Sequence, residues 1–422
     1  MKILHISTAD LAHGAGIAAY NLHLTLQKLG HDSKMLVSEK TSNNPNVYSL
    51  KTTPKNFKDK LVNRGKSFLE NSLNRLGPQN IYSSVIADLS KNTLFKEAEV
   101  VHLHNLHWHS NNFSLFLIKN ISKIKPVIWT FHDMWPITGH CIYSLDCDRW
   151  KIGCGQCPDL NMTIPLKLDT TAMLFKIKKH LYSRSNFTVV TPSEWLKQVA
   201  SQSPLLTERN IRCINNGLNL ELYQPVAKQQ ARQILGIESG FQVVLFASSH
   251  WSAAFKGYAY FERAILSLKE TKPNLFLLGF GIGDFSEELK SKFPTLTLGY
   301  VNHEKIKSLS YSAADVFIFP TMAEAFGNVA IESMSCGTPV VGFKTGGLAD
   351  SIVHLETGYL AEPGNVEDLA RGILTLLNDD RLRENMAEKG RERAIDKFTL
   401  EIQAKNYLEA YKKEIEMFKS LN

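Results

Sequence analysis

Apolar residues in this chain gather in short unbroken runs, each followed by a polar turn and then by apolar positions spaced three and four apart. Runs at 2–7, 34–38, 126–131, 187–190 and 211–214 predict strands, and so do those at 243–247, 275–279, 298–301 and 316–319. Unbroken runs, unlike alternating ones, suit strands covered on both faces, as in parallel sheets. Helical spacing follows many of them, from Ile17 to about Gly30, from Tyr260 to Leu268, over 328–336 and over 366–377. Strand alternating with helix predicts an α/β chain. The pattern breaks at Asn215, Asn216 and Gly217, with Pro225 soon after, and then restarts. Two domains are expected, 1–216 and 217–397, with a closing helix at about 398–422 crossing back to the first. Segments 57–76 and 166–185 interleave apolar residues with lysine and arginine. Each is expected to be an amphipathic helix whose apolar face meets either protein core or an anionic membrane.

The densest chemistry lies in 314–342. The strand at 316–319 is ended by Pro320, a loop carries Glu324, and Phe326-Gly327-Asn328 turns the chain into a helix. Gly327 relieves that turn and Asn328 is the expected cap. Gly337 stops the helix and a strand resumes at 339–341. Ligands of parallel sheets sit beyond the carboxyl ends of the strands, where helix N-termini point. The helix start, with Asn328 and Val329, suits a diphosphate. Glu332, one turn in, suits a ribose hydroxyl pair, and Glu324 suits sugar hydroxyls. Gly346-Gly347 offers a second phosphate-facing turn before the helix at Leu348. In the predicted loop 248–257, Lys256 supplies a point charge to a diphosphate, shared with Ser249 or backbone amides. Gly279, Gly281 and Gly283 form a loop expected to lie against a base.

In the first half, His13-Gly14-Ala15-Gly16 reads as a flexible loop. The tract 100–109 carries His102, His104, His107 and His109 with no thiol or acid among them, so hydrogen-bonding cleft residues are favoured over a metal site. His132-Asp133 stands at the carboxyl end of a predicted strand, where α/β clefts place their chemistry. Cys141, Cys147, Cys154 and Cys157 follow with C-x5-C-x6-C-x2-C spacing. In a reducing compartment that set favours a structural zinc ion over disulfides. An iron–sulfur cluster and plain buried thiols remain open alternatives. Cys213 and Cys336 are isolated.

The 422 residues, 44% hydrophobic and 21% charged, are those of an ordinary globular chain long enough for two cores. No apolar run approaches the roughly 20 residues needed to cross a bilayer, and no cleavable leader pattern opens the chain, so a cytoplasmic location is expected. Through Arg212 there are 26 Lys and Arg against 15 Asp and Glu; thereafter 22 stand against 26. A basic first half points to an anionic partner, either a membrane surface contacted peripherally or a lipid diphosphate. Nucleic acid is disfavoured, because no recognition motif accompanies the basic residues.

Glu324-x7-Glu332 followed by Ser-Met-Ser-Cys-Gly-Thr-Pro-Val-Val341 closely resembles the signature of the family 4 retaining glycosyltransferases of the GT-B fold. The likeness extends over nearly the whole chain. It implies two Rossmann-like domains with parallel sheets facing across a cleft. The implied reaction moves a sugar from a UDP- or GDP-linked donor to a hydroxyl of a glycan or polyprenyl-diphosphate-linked acceptor, with retained configuration, in surface polysaccharide biosynthesis. No metal cofactor is implied for catalysis. The resemblance places His132 against the donor sugar, Glu324 at the reacting centre, and Gly16, Ser249, Lys256, Phe326, Gly327, Asn328, Val329 and Glu332 around the donor. His104 and Asn105 fall on the acceptor side. Two departures stand out: Ala15 lies between Gly14 and Gly16 where a glycine pair is usual, and Phe255 precedes Lys256-Gly257 in a loop that has no arginine. The tract from His132 through the cysteines resembles a subgroup bearing a four-cysteine insert, which would be an active-site flap held by structural zinc. A GT-B nucleotide-sugar epimerase and a non-catalytic nucleotide-sugar-binding protein are the alternatives.

Overall fold

The computed structural model describes residues 1–50, 89–107, 113–162 and 165–421, together with 62, 64, 65, 68, 72, 74, 76, 77, 80 and 81. Most of the expected amphipathic segment 57–76, and His109, lie outside the described residues. The chain divides into two compact units, Met1–Asn215 with Leu400–Asn422, and Asn216–Thr399.

The first unit is built on seven parallel strands: β1 (Lys2–Ala9), β2 (Asp32–Glu39), β3 (Val47–Ser49), β4 (Val100–Leu103), β5 (Val127–Thr130), β6 (Thr188–Thr191) and β7 (Ile211–Cys213). Their order is β3-β2-β1-β4-β5-β6-β7. The central strands are buried throughout, which is why they read as unbroken apolar runs. Helix Leu400–Leu421 belongs to this unit and lays Ala404, Tyr407, Ala410 and Tyr411 over Ile3, Val100, Ile128 and Val190. The Tyr407 hydroxyl lies 2.8 Å from Thr130 Oγ1. Helix Thr171–Tyr182 buries Leu174, Phe175, Leu181 and Tyr182. Lys178 turns inward, donating to Thr138 O at 2.9 Å with its ammonium 3.6 Å from the Trp135 ring centroid. The apolar face of this segment is therefore spent on the core, leaving Lys176 and Lys179 outside.

The structure corrects the expected loop at 13–16. Helix His13–Lys28 starts at His13, so Gly16 is helical and packs under the carboxyl end of β1. Just before it, Asp10 ties β1 to the loop after β2. Its Oδ1 accepts from Thr41 N at 2.9 Å and Thr41 Oγ1 at 2.8 Å, and its Oδ2 from Ser42 N at 2.9 Å. Burial alone would raise its pKa, but the bonds from Ser42 and Thr41 prevail and hold it at about 2, below the ordinary 3.8. A depressed carboxylate stabilises the fold above its unfolded pKa and loses that contribution as pH falls towards the folded value. Asp10→Asn is therefore expected to flatten the fall in urea midpoint between about pH 5 and pH 3. Parallel curves for the two proteins would show that Asp10 carries no such linkage.

The second unit has six parallel strands, β8 (Gln242–His250), β9 (Leu275–Ile282), β10 (Thr295–Thr297), β11 (Val316–Phe319), β12 (Val340–Phe343) and β13 (Gly358–Ala361). The order is β10-β9-β8-β11-β12-β13. Helices Tyr258–Ser267 and Val366–Asn378 fill one core, and Glu304–Ala313 and Asn328–Ser335 fill another. Four expectations change here. β8 runs on through Ser249, with a register shift at Ser248/His250. β10 lies ahead of the expected 298–301. Residues 358–361, not among the expected strands, pair with β12 as an edge strand. The glycine series 279–283, expected as a loop against a base, largely continues β9. Trp251 explains it: a Cβ on Gly279 or Gly283 would come within 2.5 Å of its side chain, and its Nε1 donates to Phe280 O at 3.1 Å. Those glycines make room for an indole of the protein itself.

Candidate functional site

In the second unit the strand order reverses between β8 and β11, the position where open parallel sheets leave a crevice. Lys256 follows β8 and Glu324 follows β11, and their side chains meet, with Nζ 2.9 Å from Oε2. Both are less than one-fifth exposed, at 19% and 17%. The contact depends on Gly257. Its φ is +79°, and a Cβ there would lie 1.8 Å from Pro320 O, so the Lys256 loop closes on the end of β11 only because no side chain intervenes. Met322 N and Thr321 Oγ1 both donate to Phe255 O, at 2.7 and 3.0 Å, and fasten the same junction.

Gly327, with φ +90°, is the N-cap of helix Asn328–Ser335, and no side chain among the described residues caps it. The expected cap, Asn328, is already inside the helix, and its Oδ1 accepts from Asn216 Nδ2 at 3.1 Å. The open helix start lies against Glu324, whose Cγ is 3.8 Å from the position of a Cβ on Gly327. Phe326 is buried and meets Phe398 edge-on at 5.5 Å. Val329 packs partly into the core. Ser249 is exposed at the irregular end of β8.

Glu332 is more enclosed than Glu324. Its Oε2 accepts from the Tyr311 hydroxyl at 3.0 Å, and Tyr223 bonds it as well. Burial pushes its pKa up, opposed by the Lys307 charge and the tyrosine bonds. Two tyrosines thus aim this carboxylate. No local pattern announces either one, since Tyr311 lies 21 residues upstream. The Gly346-Gly347 pair is corrected as a phosphate-facing turn. Gly347 N donates to Glu324 O at 2.8 Å, and a Cβ on Gly346 would meet that oxygen at 2.1 Å. The pair is a backbone clasp on the Glu324 loop.

In the first unit the order reverses between β1 and β4. His104 and Asn105 follow β4, and His132 follows β5. Asn105 O accepts from Thr8 N at 3.0 Å. Three rings form a chain: His5 Nδ1 lies 3.0 Å from His104 Nε2, and His104 Nδ1 lies 3.2 Å from His132 Nε2. Burial drives the pKa of His5 and His104 well below the usual histidine range and lowers that of His132 to about 4. His102 is occupied elsewhere, with Tyr411 OH and Thr130 Oγ1 each 2.7 Å from its two nitrogens. The nitrogens of His5, His102 and His104 cluster within 4.8 Å. All but His5 Nε2 are engaged in hydrogen bonds, which leaves no ligand set for an ion. Asp133 parts from His132: its Oδ2 lies 3.2 Å from His107 Nε2 and its Oδ1 accepts from Trp135 N.

Cys141, Cys147, Cys154 and Cys157 line one cavity of about 20 Å³ together with His140 and Trp150. Residues 153–156 all have left-handed φ, Cys154 at 59° and Gln156 at 49° among them. Gly139 N donates to Cys154 Sγ at 3.2 Å. Burial pushes the Cys141 thiol up to about 12 and raises Cys154 and Cys157. The donor set suits zinc. The sulfurs do not meet the 4.8 Å spacing that the histidine trio does, so an ion would have to draw them inward.

Residues 12–222 match the family model described as Glycosyltransferase Family 4, and 227–393 match Glycosyl transferases group 1. Over 250 residues the chain is 29% identical to an uncharacterized glycosyltransferase of Methanocaldococcus jannaschii, covering 57% of this chain and 63% of the relative. Over 263 residues it is 25% identical to an Escherichia coli K12 glycosyl transferase assigned to colanic acid biosynthesis, covering 57% and 59%. The chain thus matches less than two-thirds of the length of either relative. Anabaena HepE, solved with UDP and glucose, superposes with a TM-score of 0.65 at 18% identity, over 97% of this chain and 99% of that one. At that identity the likeness establishes the fold.

Proposed function

Because the chain belongs to the group 1, family 4 glycosyltransferases of the GT-B fold, we propose that it transfers a sugar, with retained configuration, from a UDP- or GDP-linked donor to an acceptor hydroxyl. The observation that carries this reading is the Lys256–Glu324 pair at 2.9 Å, set against the uncapped start of helix Asn328–Ser335. A cation beside a helix N-terminus suits a diphosphate, and the neighbouring carboxylate suits sugar hydroxyls. Glu332 binds the ribose. In the reaction the bond from the anomeric carbon to the diphosphate oxygen breaks and the bond to the acceptor oxygen forms on the same face. The acceptor proton passes to the departing phosphate oxygen. Lys256 and the helix start stabilise the charge that develops there, and His132 hydrogen-bonds the sugar.

The acceptor in this reading is a glycan or polyprenyl-diphosphate-linked hydroxyl. The excess of Lys and Arg in the first half supports an anionic acceptor or membrane surface, and the colanic acid relative supports a role in surface polysaccharide assembly. The roles of the two acids separate in experiment. Glu332→Ala is expected to weaken nucleotide binding by about 10- to 100-fold, the cost of a lost charged hydrogen bond. Glu324→Ala is expected chiefly to lower kcat. Isothermal titration with the nucleotide, alongside turnover, checks both, and equal loss of both quantities in both variants would contradict the roles.

The four cysteines hold a structural zinc ion in this reading, supported by their shared cavity and by the left-handed Cys154. Such an ion gives folding energy to the insert and takes no part in the chemistry. Purified under reducing conditions without chelator, the protein is expected to carry one zinc per chain. Cys154→Ser is expected to lose it, and a zinc-free wild type of unchanged thermal stability would end the proposal.

A further inference from the structure

The three linked histidines of the first unit have a direction, set at their innermost end. His5 Nδ1 to His104 Nε2 is 3.0 Å and His104 Nδ1 to His132 Nε2 is 3.2 Å. Burial disfavours the charged form of each ring, with His23 and His102 facing His5 and with Asp133 and His107 facing His132. Three neutral rings share three ring protons. Two of these lie in the ring-to-ring bonds, so the third sits at one end, on His5 Nε2 or on His132 Nδ1.

The two ends differ. His5 is fully buried, and its Nε2 has no hydrogen-bond partner among the described residues. Neither adjoining ring bonds to it: His102 has both nitrogens engaged, and His23 uses Nδ1 on Ser33 Oγ at 2.8 Å while its own Nε2 is likewise buried without a partner among the described residues. A proton on His5 Nε2 would be a buried N–H with no described protein group to accept it, a rarer and costlier state than a bare lone pair. His132 is only half-buried and can offer its outer nitrogen to solvent or ligand. The bonds therefore run outward, from His5 Nδ1–H to His104 Nε2 and from His104 Nδ1–H to His132 Nε2. We infer that the chain His5–His104–His132 imposes the Nδ1–H tautomer on His132, so that this side chain meets its ligand as a neutral hydrogen-bond donor, with His104 and His5 as positioning residues. His132 then hands a proton-bearing nitrogen to an oxygen of the ligand and cannot serve as the base that removes a proton. The identity of that ligand, a sugar, rests on the transferase reading; the tautomer does not.

The test is a long-range proton–nitrogen spectrum of the full chain labelled with ¹⁵N-histidine, with the His132 signals identified by their loss in His132→Gln. The expected spectrum shows a protonated Nδ1 and a bare Nε2 on His132, unchanged from about pH 6 to pH 8. His104→Phe, which has no donor, is expected to leave His132 a mixture of tautomers and to lower kcat/KM about tenfold, the scale of one ligand hydrogen bond. His104→Asn, whose amide group can stand in for Nδ1, is expected to restore the protonated-Nδ1 signature. A wild-type spectrum with the proton on Nε2, or with a charged ring at pH 7, overturns the inference without recourse to any His104 variant. So does a His104→Phe spectrum identical to wild type. The tautomer is read without substrate, so its failure is separable from a failure of the transferase reading, which nucleotide binding judges.

Discussion

Lys256→Ala is expected to lower kcat by about 10²- to 10³-fold, the range for removing one group that stabilises a developing oxyanion. The variant does more than delete a positive charge. Glu324, whose Oε2 lies 2.9 Å from Nζ, is left at 17% exposure without its counterion and close to the helix start proposed to receive a diphosphate. Like charges then meet, so nucleotide affinity should fall as well. Removing both charges in Lys256→Ala/Glu324→Gln should bind nucleotide more tightly than Lys256→Ala alone. The coupling expected for groups in contact is about 0.5–3 kcal/mol. Titration of UDP and GDP into the wild type, the two single variants Lys256→Ala and Glu324→Gln, and the double variant measures it, and strictly additive losses would mean that the pair does not act as a unit.

Gly257→Ala is expected to destabilise the second unit by about 3–5 kcal/mol, because two costs fall on one position. The residue is left-handed, with φ +79°, and its missing Cβ would stand 1.8 Å from Pro320 O. Gly236 is the control: it is also left-handed, with φ +70°, but no atom of the described residues lies within 4 Å of its Cβ position. Gly236→Ala should therefore cost only about 1–2 kcal/mol, the conformational part alone. Denaturant titration compares the two, and equal losses would refute the close approach between the Lys256 loop and the end of β11. Any Gly257→Ala protein that folds should also lose nucleotide binding, since the clash pushes Lys256 away from Glu324.

The strand, loop and helix framework of the second unit was open to direct reading. The run 316–319 became β11 without change, and the helix expected over 328–336 is Asn328–Ser335. Short apolar runs bounded by proline and glycine leave little choice, because the information is local and both faces are covered. Glycines misled for a related reason. Sequence records that a Cβ is missing, but not what occupies the space. At 279–283 that occupant is Trp251, and at Gly346-Gly347 it is the backbone of Glu324. Each had been expected to make room for a ligand, and each makes room for the protein itself.

The histidines show the division most sharply. That 100–109 was rich in hydrogen-bonding rings, and that His132 stood at a strand end, followed from the order of residues alone. So did the two acids eight residues apart, the lone Lys256 and the four-cysteine spacing, since residue type and strand-end position are written along the chain. The pairing of Lys256 with Glu324, the two tyrosines on Glu332 and the direction of the His5–His104–His132 chain were decided only by folding. His5 and His104 are 99 residues apart in the chain and meet because β1 and β4 are neighbours in the sheet. A hydrogen bond's partner and a ring's tautomer depend on what lies within about 3 Å in space, and that distance is set by strand order, which local sequence does not encode.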